Sequence, residues 1–471
     1  MKRIIIFLLC IILPLSLVSC APSAPSDPQP ISEYVTTVPS ATLEMQSAKY
    51  WISKDPNAND LLMTQAQIQQ FNQLNSKLIS YDGGEAFALS DVLETMDGAI
   101  VRALLSAVFP EDPAAVYLNG QPTTAAYWDA LKKNQGLESI GDSVTVKFGY
   151  SVCYSNLRSF PTDDFLSETP DDRKVDLATR SDFLPYRPLV VLHESVDEQW
   201  YYVQFSGYAG WVRKEYVALC DSREDWLARQ AEDVFLLVTG LQLRLPDNPF
   251  TPQFSGQLLP MGTRLPLVPA SEAPQSIGDR MTYGNYVVKL PVRQEDGSIK
   301  DEYTMVPLSD TVHIGFLPYT SANVLTLVFR RLGDQYGWGG LYHANDCSGM
   351  VKDIYSCFGF AFARNSIGQS QMAGMRQLDF SALSEEEKLS ALDQMPVGSL
   401  LFFPGHIALY LGKDQGVPYV ISAVGSFATS DMPVGSILSV TGVVVNDVYV
   451  HRKDGSTWLS NFSMCFVPVA S

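Results

Sequence analysis

Histidine is scarce and nothing in the chain clusters metal-binding side chains. Five histidines and seven cysteines are scattered through 471 residues without a paired metal-ligand spacing, and no P-loop, dinucleotide fingerprint or EF-hand loop occurs. The expectation is a protein without metal or other cofactor. His193, His313, His343 and His451 read as surface or structural residues. Basic residues are the minority, 33 against 51 acidic, for a net charge of −18. That balance argues against a nucleic-acid partner. After the first twenty residues no apolar run is long enough to span a membrane. Beyond Cys10 and Cys20, the cysteines Cys153, Cys220, Cys347, Cys357 and Cys465 are too dispersed for a disulfide framework; a Cys153–Cys220 bridge stays open.

What is present begins with an export signal. Lys2-Arg3 precedes an apolar run from Ile4 to Val18 that ends in Ser19-Cys20. Leu17-Val-Ser-Cys20 resembles a lipobox, in which Cys20 becomes the lipidated mature N-terminus; an ordinary signal with a fortuitous cysteine is the alternative. Residues 1–20 are thus expected to be a lipoprotein signal and 21–45, rich in Pro, Ser, Ala and Thr, a flexible tether. The protein is expected at the cell envelope, held to the membrane through lipid on Cys20.

Residues 46–137 read as a helical, bracing domain. Thr64-x-x-Gln67 is a capping box before Ile68, Phe71 and Leu74. Asp91-x-x-Glu94 is expected to start a second helix through Leu105, and Pro122-Thr-Thr a third that stops at Asn134-Gln-Gly136. Residues 138–220 turn to short β runs: Ser143–Val152, Leu189–His193, Trp200–Phe205 and Gly210–Val212. Gly207-Tyr-Ala-Gly-Trp211-Val resembles the closing strands of a bacterial SH3-like barrel. A short helical connector over 221–233 leads to a further set of strands, with Asp296-Gly297 as a hairpin turn; 221–315 is read as a second SH3-like barrel. Tyr201, Tyr202 and Trp211 have core packing as their plain reading.

The chemistry concentrates in 316–471. Cys347 precedes Met350, Val351, Ile354, Tyr355 and Phe358, apolar positions at helical spacing, so it opens an amphipathic helix. Unpaired backbone N–H groups and the positive end of the helix dipole stabilise a thiolate at such a place, and the expectation is a thiol that ionises below the usual cysteine range. Leu400 to Leu411 reads as strand, tight turn, strand, with His406 just after the turn. A strand-borne imidazole facing a helix-borne thiol is the pairing that thiol nucleophiles need. The plain alternative for Cys347 is a small core residue.

Tyr336-x-Trp338-Gly-Gly340, Asp346-Cys347-Ser348-Gly349, Pro396-Val-Gly-Ser-Leu-Leu-Phe-Phe403 and Gly405-His406-Ile-x-Leu-Tyr-Leu-Gly412 occur in the order, and with the residues, that resemble the NlpC-type cysteine peptidases of bacterial cell walls. The resemblance covers roughly 316–471; the upstream barrels resemble the SH3-like modules of its multi-domain members. It implies an α+β protein with a papain-like catalytic domain. It also implies Cys347 as nucleophile and His406 as base, with Tyr336 close to the nucleophile and Asp346 and Ser348 receiving a substrate's free α-amino group. The plain reading of Asp346 is a helix cap. The family's third residue, usually a histidine on the strand after the catalytic one, falls on Ser422, a shorter and uncharged orienter; His451 is the other candidate. The implied reaction is cleavage between γ-D-glutamate and a diamino acid in peptidoglycan stem peptides, through a cysteine thioester. A wall-binding lipoprotein without activity, and an acyl transferase using the same cysteine, are the competing readings.

Overall fold

The computed structural model describes residues 34–82, 84–231, 234–467 and 469. The signal, Cys20 and most of the expected tether lie outside the described residues. The fold is α+β. No helix among the described residues is long and apolar enough to cross a membrane.

The helices of the N-terminal part form where their caps are. Helix α1 is Ala48–Ile52. In α2, Gln65–Leu74, Thr64 and Gln67 close the capping box reciprocally. Helix α3, Gly98–Leu104, starts on Asp97, not Asp91. The expected start at Asp91 fails because Ala88 to Asp91 closes a tight 3-10 turn and Thr95–Asp97 pairs as a strand with Ser143–Thr145. Helix α4, Ala125–Gln135, is capped by Thr124 and ends at Gly136 in the left-handed region.

These helices do not share a core. Trp51, Ile68 and Phe71 pack with the buried residues around Cys347, whereas Val101 and Leu105 join the first barrel. Trp128 and Leu131 pack with Phe160 and Leu166. Segment 46–137 is therefore a set of braces on three neighbours, because no single stretch of it carries enough apolar surface to close a core alone. The brace on the C-terminal part is firm: Tyr50 donates to Asp414 at 2.8 Å, and the Trp51 ring lies 5.5 Å from Tyr419.

The first β region is a seven-stranded antiparallel sheet. Its strands are β1 (Lys147–Ser151), β2 (Ser155–Arg158), β3 (Thr179–Phe183), β4 (Pro188–Glu194), β5 (Trp200–Phe205), β6 (Tyr208–Arg213) and β7 (Val217–Leu219), in the order β7-β1-β4-β5-β6-β2-β3. Tyr202 and Trp211 pair across β5 and β6 and fill one core, while Tyr201 fills another on the opposite face. Cys153 and Cys220 are free thiols. Helix α5, Arg223–Gln230, connects to shorter strands β8 (Phe235–Val238), β9 (Arg264–Pro266), β10 (Asn285–Arg293), β11 (Ile299–Pro307) and β12 (Val312–Ile314). They form the sheet β9-β8-β12 and the hairpin β10–β11 around Leu236, Val238, Leu265, Val288 and Val306.

The C-terminal part sets helices α6 (Ser321–Phe329) and α7 (Cys347–Ser356) against a six-stranded sheet. Its strands are β13 (Arg376–Asp379), β14 (Leu400–Phe403), β15 (His406–Asp414), β16 (Val417–Phe427), β17 (Leu438–Asp447) and β18 (Met464–Val467), in the order β13-β18-β14-β15-β16-β17. Alternation sorts the side chains. Leu400, Phe402, Ile407 and Leu409 face α6 and α7, whereas Leu401, Phe403, Ala408 and Tyr410 face Trp458 and Leu459. Helix α7 is buried on most of its surface, with Met350, Val351, Ile354 and Tyr355 inaccessible, so its first residue is fixed in place.

Candidate active site

Asp346 caps α7, accepting from Gly349 N–H at 2.7 Å. That capping sets Cys347 as the first residue of the helix, as its sequence position predicts. The sulfur is met by the backbone N–H groups of Ser348 and of Ile407, the residue after His406. His406 stands at the start of β15, just after the Pro404-Gly405 turn, with its ring 4.9 Å from Trp458 and 5.1 Å from Phe403. Its Nε2 is 3.0 Å from the Ser422 hydroxyl. The pairing follows from register. Leu409 pairs with Ile421, which puts Ser422 diagonal to His406 on the same face of the sheet. Nδ1 is then the ring nitrogen available for proton exchange with a thiol. His451 pairs with Ala428 and Thr457 in isolated bridges, and the contact to the His406 ring belongs to Ser422.

Neither partner ionises easily by itself. Burial, reinforced by the Asp346 charge, pushes the Cys347 thiol up to about 12 against the opposing N–H groups of Ile407 and Ser348. Burial and then the Arg452 charge push His406 down to about 3. The sequence suggests an accessible, low-lying thiol from the helix start and a facing His406; Cys347 is only 7% exposed, and desolvation opposes the helix-start N–H groups. Both shifts favour the neutral pair, thiol and imidazole, in the resting site.

Asp346 is bonded on both of its oxygens. Its Oδ1 accepts from Gly349 N–H, from the Ser348 hydroxyl at 3.0 Å and from Arg364 Nη1 at 3.0 Å; its Oδ2 accepts from Gly339 N–H at 3.1 Å and from Arg364 Nη2 at 2.9 Å. Burial would raise this carboxyl, but Arg364 and the capping bonds hold it below the usual range. With both oxygens engaged, Asp346 has no lone pair directed at a substrate ammonium, and Ser348 is tied to Asp346 and Arg364. Asp346 and Ser348 thus tie the start of α7 to Arg364 and to the Gly339 loop.

Arg364 also reaches the barrel. Its Nε donates to Asp182 on β3 at 2.7 Å, and Lys352 of α7 donates to the other Asp182 oxygen at 2.7 Å. Between them runs the loop from Trp338 to His343, with Gly339, Gly340, Tyr342 and His343 at positive φ. At Gly340 a Cβ would lie 2.7 Å from Asp182 Cβ, so only glycine admits this contact. Tyr342 donates to Arg173 O at 2.6 Å. The barrel thus fixes the loop that precedes the nucleophile. Tyr336, partly buried just before that loop, has its hydroxyl pushed above the ordinary range by burial and then by Cys347 and Asp346.

Comparison with known proteins agrees with this geometry. Residues 333–424 match the NlpC/P60 family model, and residues 165–213 match that of an SH3 domain of the SH3b1 type. The chain carries an NlpC/P60 domain and an SH3 domain. A stretch of 104 residues is 32% identical to dipeptidyl-peptidase 6 of Lysinibacillus sphaericus, spanning 22% of this chain and 32% of that relative. The chain therefore aligns with about a third of that relative's length. Among solved structures, an NlpC/P60 endopeptidase from Photobacterium damselae subsp. piscicida superposes with a TM-score of 0.67 at 19% identity, over 92% of this chain and 98% of that one; the likeness is one of fold. An NlpC/P60 family protein from Bacillus cereus covers 68% of this chain and 98% of its own, at 15% identity and a TM-score of 0.44.

Sequence reasoning did not single out Arg364, Asp182, Arg452 or Trp458. Arg364 had a local signal: it is the one charge closing the run Phe358-Gly-Phe-Ala-Phe-Ala-Arg364, and a charge ending a buried run needs a partner. Asp182, Arg452 and Trp458 come from other segments and meet the NlpC/P60 site only in three dimensions.

Ser422 gives a direct test. It is fully buried, so Ser422→Ala leaves His406 Nε2 without its partner. Turnover is expected to fall on the order of tenfold, about 1.4 kcal/mol of barrier, with a melting temperature close to wild type. Wild-type kcat/KM in the variant would remove Ser422 from the site.

Proposed function

We propose that the protein hydrolyses peptidoglycan stem peptides at the bond between γ-D-glutamate and a diamino acid, with Cys347 as nucleophile. The observation that carries this reading is the arrangement at the start of α7: a capped, buried cysteine against the first turn of β15, whose imidazole is held from behind by Ser422.

The chemistry follows from those groups. The Cys347 proton passes to His406 Nδ1 as sulfur attacks the γ-carbonyl carbon. The oxyanion gathers near the N–H groups at the helix start and the Tyr336 hydroxyl. Collapse breaks the C–N bond, and His406 gives its proton to the leaving amine. Water, deprotonated by His406, then cleaves the thioester and returns the proton to sulfur. Trp458 and Phe403 shield the imidazole from bulk water. The dipeptidyl-peptidase name of the relative fits release of L-Ala-γ-D-Glu as a dipeptide. The SH3 domain supports the same substrate class, since it buttresses the loop before Cys347. Lipid on Cys20 would hold the enzyme at the membrane face of the wall; the intact mass of membrane-extracted protein should show a diacylated Cys20.

The experiment is incubation of the protein with L-Ala-γ-D-Glu-diaminopimelate and with its N-acetylated form, products read by mass. The expected result is L-Ala-γ-D-Glu plus free diaminopimelate from the first peptide, abolished in Cys347→Ala. Because Asp346 is fully engaged, the acetylated peptide is expected to be cut as well, at a rate within about tenfold. Absence of cleavage of both peptides by the wild type would reject the reading.

A further inference from the structure

The cleft opens past His406 into a groove of about 700 Å³, lined among others by Tyr336, Phe403, His406, Ser426, Arg452 and Trp458. None of Asp346, Cys347 and Ser348 lines it. The groove therefore adjoins His406, which in the reaction proposed above protonates the leaving amine, so that reaction directs the amine half of the substrate toward it.

Arg452 is the cation best placed there. It sits in a tight turn, with Gly455 N–H donating to its carbonyl at 3.0 Å and its own N–H donating to Ser456 O at 2.8 Å. Its guanidinium lies 5.2 Å from the Phe403 ring centroid, an aromatic face that suits a planar cation. Of its five side-chain N–H donors, only Nη1 has a protein acceptor among the described residues, Pro404 O at a long 3.4 Å. Asp454, on the same turn and also in the lining, accepts at Oδ1 from the Ser456 N–H at 3.0 Å and hydroxyl at 2.5 Å, and offsets one of the two positive charges there. Lys453, exposed, adds a second positive charge to the lining. In a chain of net charge −18 this is a local reversal of sign inside a concave surface, next to the reacting bond.

We infer that Arg452 binds a carboxylate carried by the residue on the amine side of the scissile bond, so that the groove selects a substrate whose diamino acid is a free acid. A guanidinium matches a carboxylate in a two-bond fork, and the Phe403 face holds the fork in the groove without consuming its donors. The Arg452 charge is also, after burial, what holds His406 low. A bound carboxylate offsets that charge, so the imidazole accepts the thiol proton more readily once substrate is seated. This inference rests on the peptidase reading given above.

The test uses the full chain and two peptides, L-Ala-γ-D-Glu-L-Lys with a free C-terminal acid and the same peptide as its amide. Wild type is expected to favour the acid in kcat/KM by on the order of tenfold or more. Arg452→Gln should bring the acid-to-amide ratio to about one, and Arg452→Lys, a point charge without the fork, should fall between. Equal treatment of the two peptides by wild type overturns the inference. So does an unchanged ratio in Arg452→Gln, even if both rates drop, because that pattern belongs to a merely structural arginine. Calorimetric titration of both peptides into Cys347→Ala protein, with and without Arg452→Gln, separates the two readings. Acid-selective binding that depends on Arg452, without turnover by wild type, keeps the carboxylate site and rejects the peptidase. Turnover without discrimination does the reverse.

Discussion

Replacing Arg364 with methionine is expected to cost about 3–5 kcal/mol of stability and to abolish activity, because it strands the buried Asp346 carboxylate and leaves Asp182 with Lys352 alone. The guanidinium is 7% exposed and bonds Asp346 through two nitrogens and Asp182 through the third. Methionine keeps the apolar stem but removes every one of those bonds, and Lys352 remains only for Asp182. Breaking one member of such a buried set costs more than the set contributes relative to an apolar replacement, since the remaining charges cannot return to water. The pH dependence distinguishes this cause from a packing defect. In the native protein burial raises Asp346 and Asp182, but their cationic partners win and hold both below the usual carboxylate range. A depressed native value stabilises above the unfolded value, near ~3.9, and the contribution is lost as pH falls below it. In Arg364→Met the stranded Asp346 carboxylate moves the other way, so acidification relieves it. Urea unfolding at pH 7 and pH 4 should therefore show a large gap between wild type and variant that narrows at the lower pH. A gap of the same size at both values would mean lost packing. A variant as stable as wild type would show that the network does not join the SH3 domain to the catalytic helix.

Replacing His406 with alanine is expected to lower kcat/KM by about 10³-fold or more, and to silence the thiol as well. With the Cys347 thiol pushed up to about 12, the thiolate fraction at pH 7 without a proton acceptor is on the order of 10⁻⁵. In the reaction proposed above, the wild-type thiol escapes this limit by handing its proton to the imidazole as sulfur attacks, without ionising first. Alkylation by iodoacetamide at neutral pH should therefore be rapid in wild type and slower by orders of magnitude in His406→Ala, regaining rate only in strong alkali. The Trp458 and Phe403 rings around the vacated space are apolar, so no other group takes the proton. Equal alkylation rates at pH 7 in the two proteins would show that backbone N–H groups alone sustain the thiolate.

The two experiments bear on different parts of the same site. Arg364 sets where Asp346, and hence the first residue of α7, stands. His406 decides what the sulfur at that residue can do. Loss of activity with normal stability points to His406, whereas loss of both points to the network.

The sequence by itself determined the elements whose signals are local. Capping at Thr64, Thr124 and Asp346 follows from side chains that reach backbone N–H groups two or three residues on. Period-two alternation from Leu400 to Leu411 placed the strand pair, and the Pro404-Gly405 turn placed His406 at its bend. Cys347 as helix start, and Ser422 as the residue reaching His406, were legible for the same reason: helix period and hairpin register convert sequence separation into position. Tertiary structure alone decided the rest. The start of α3 moved from Asp91 to Asp97 because a strand pairing with Ser143–Thr145 claimed the intervening residues. Segment 46–137 divided among three cores because burial goes to whichever apolar surface is adjacent. Asp346 gained a second structural partner because Arg364, a residue with no periodic tie to it, closes on both of its oxygens. Above all, the burial of Cys347, which opposes its ionisation, is a property of everything packed around the helix start that no window of sequence contains.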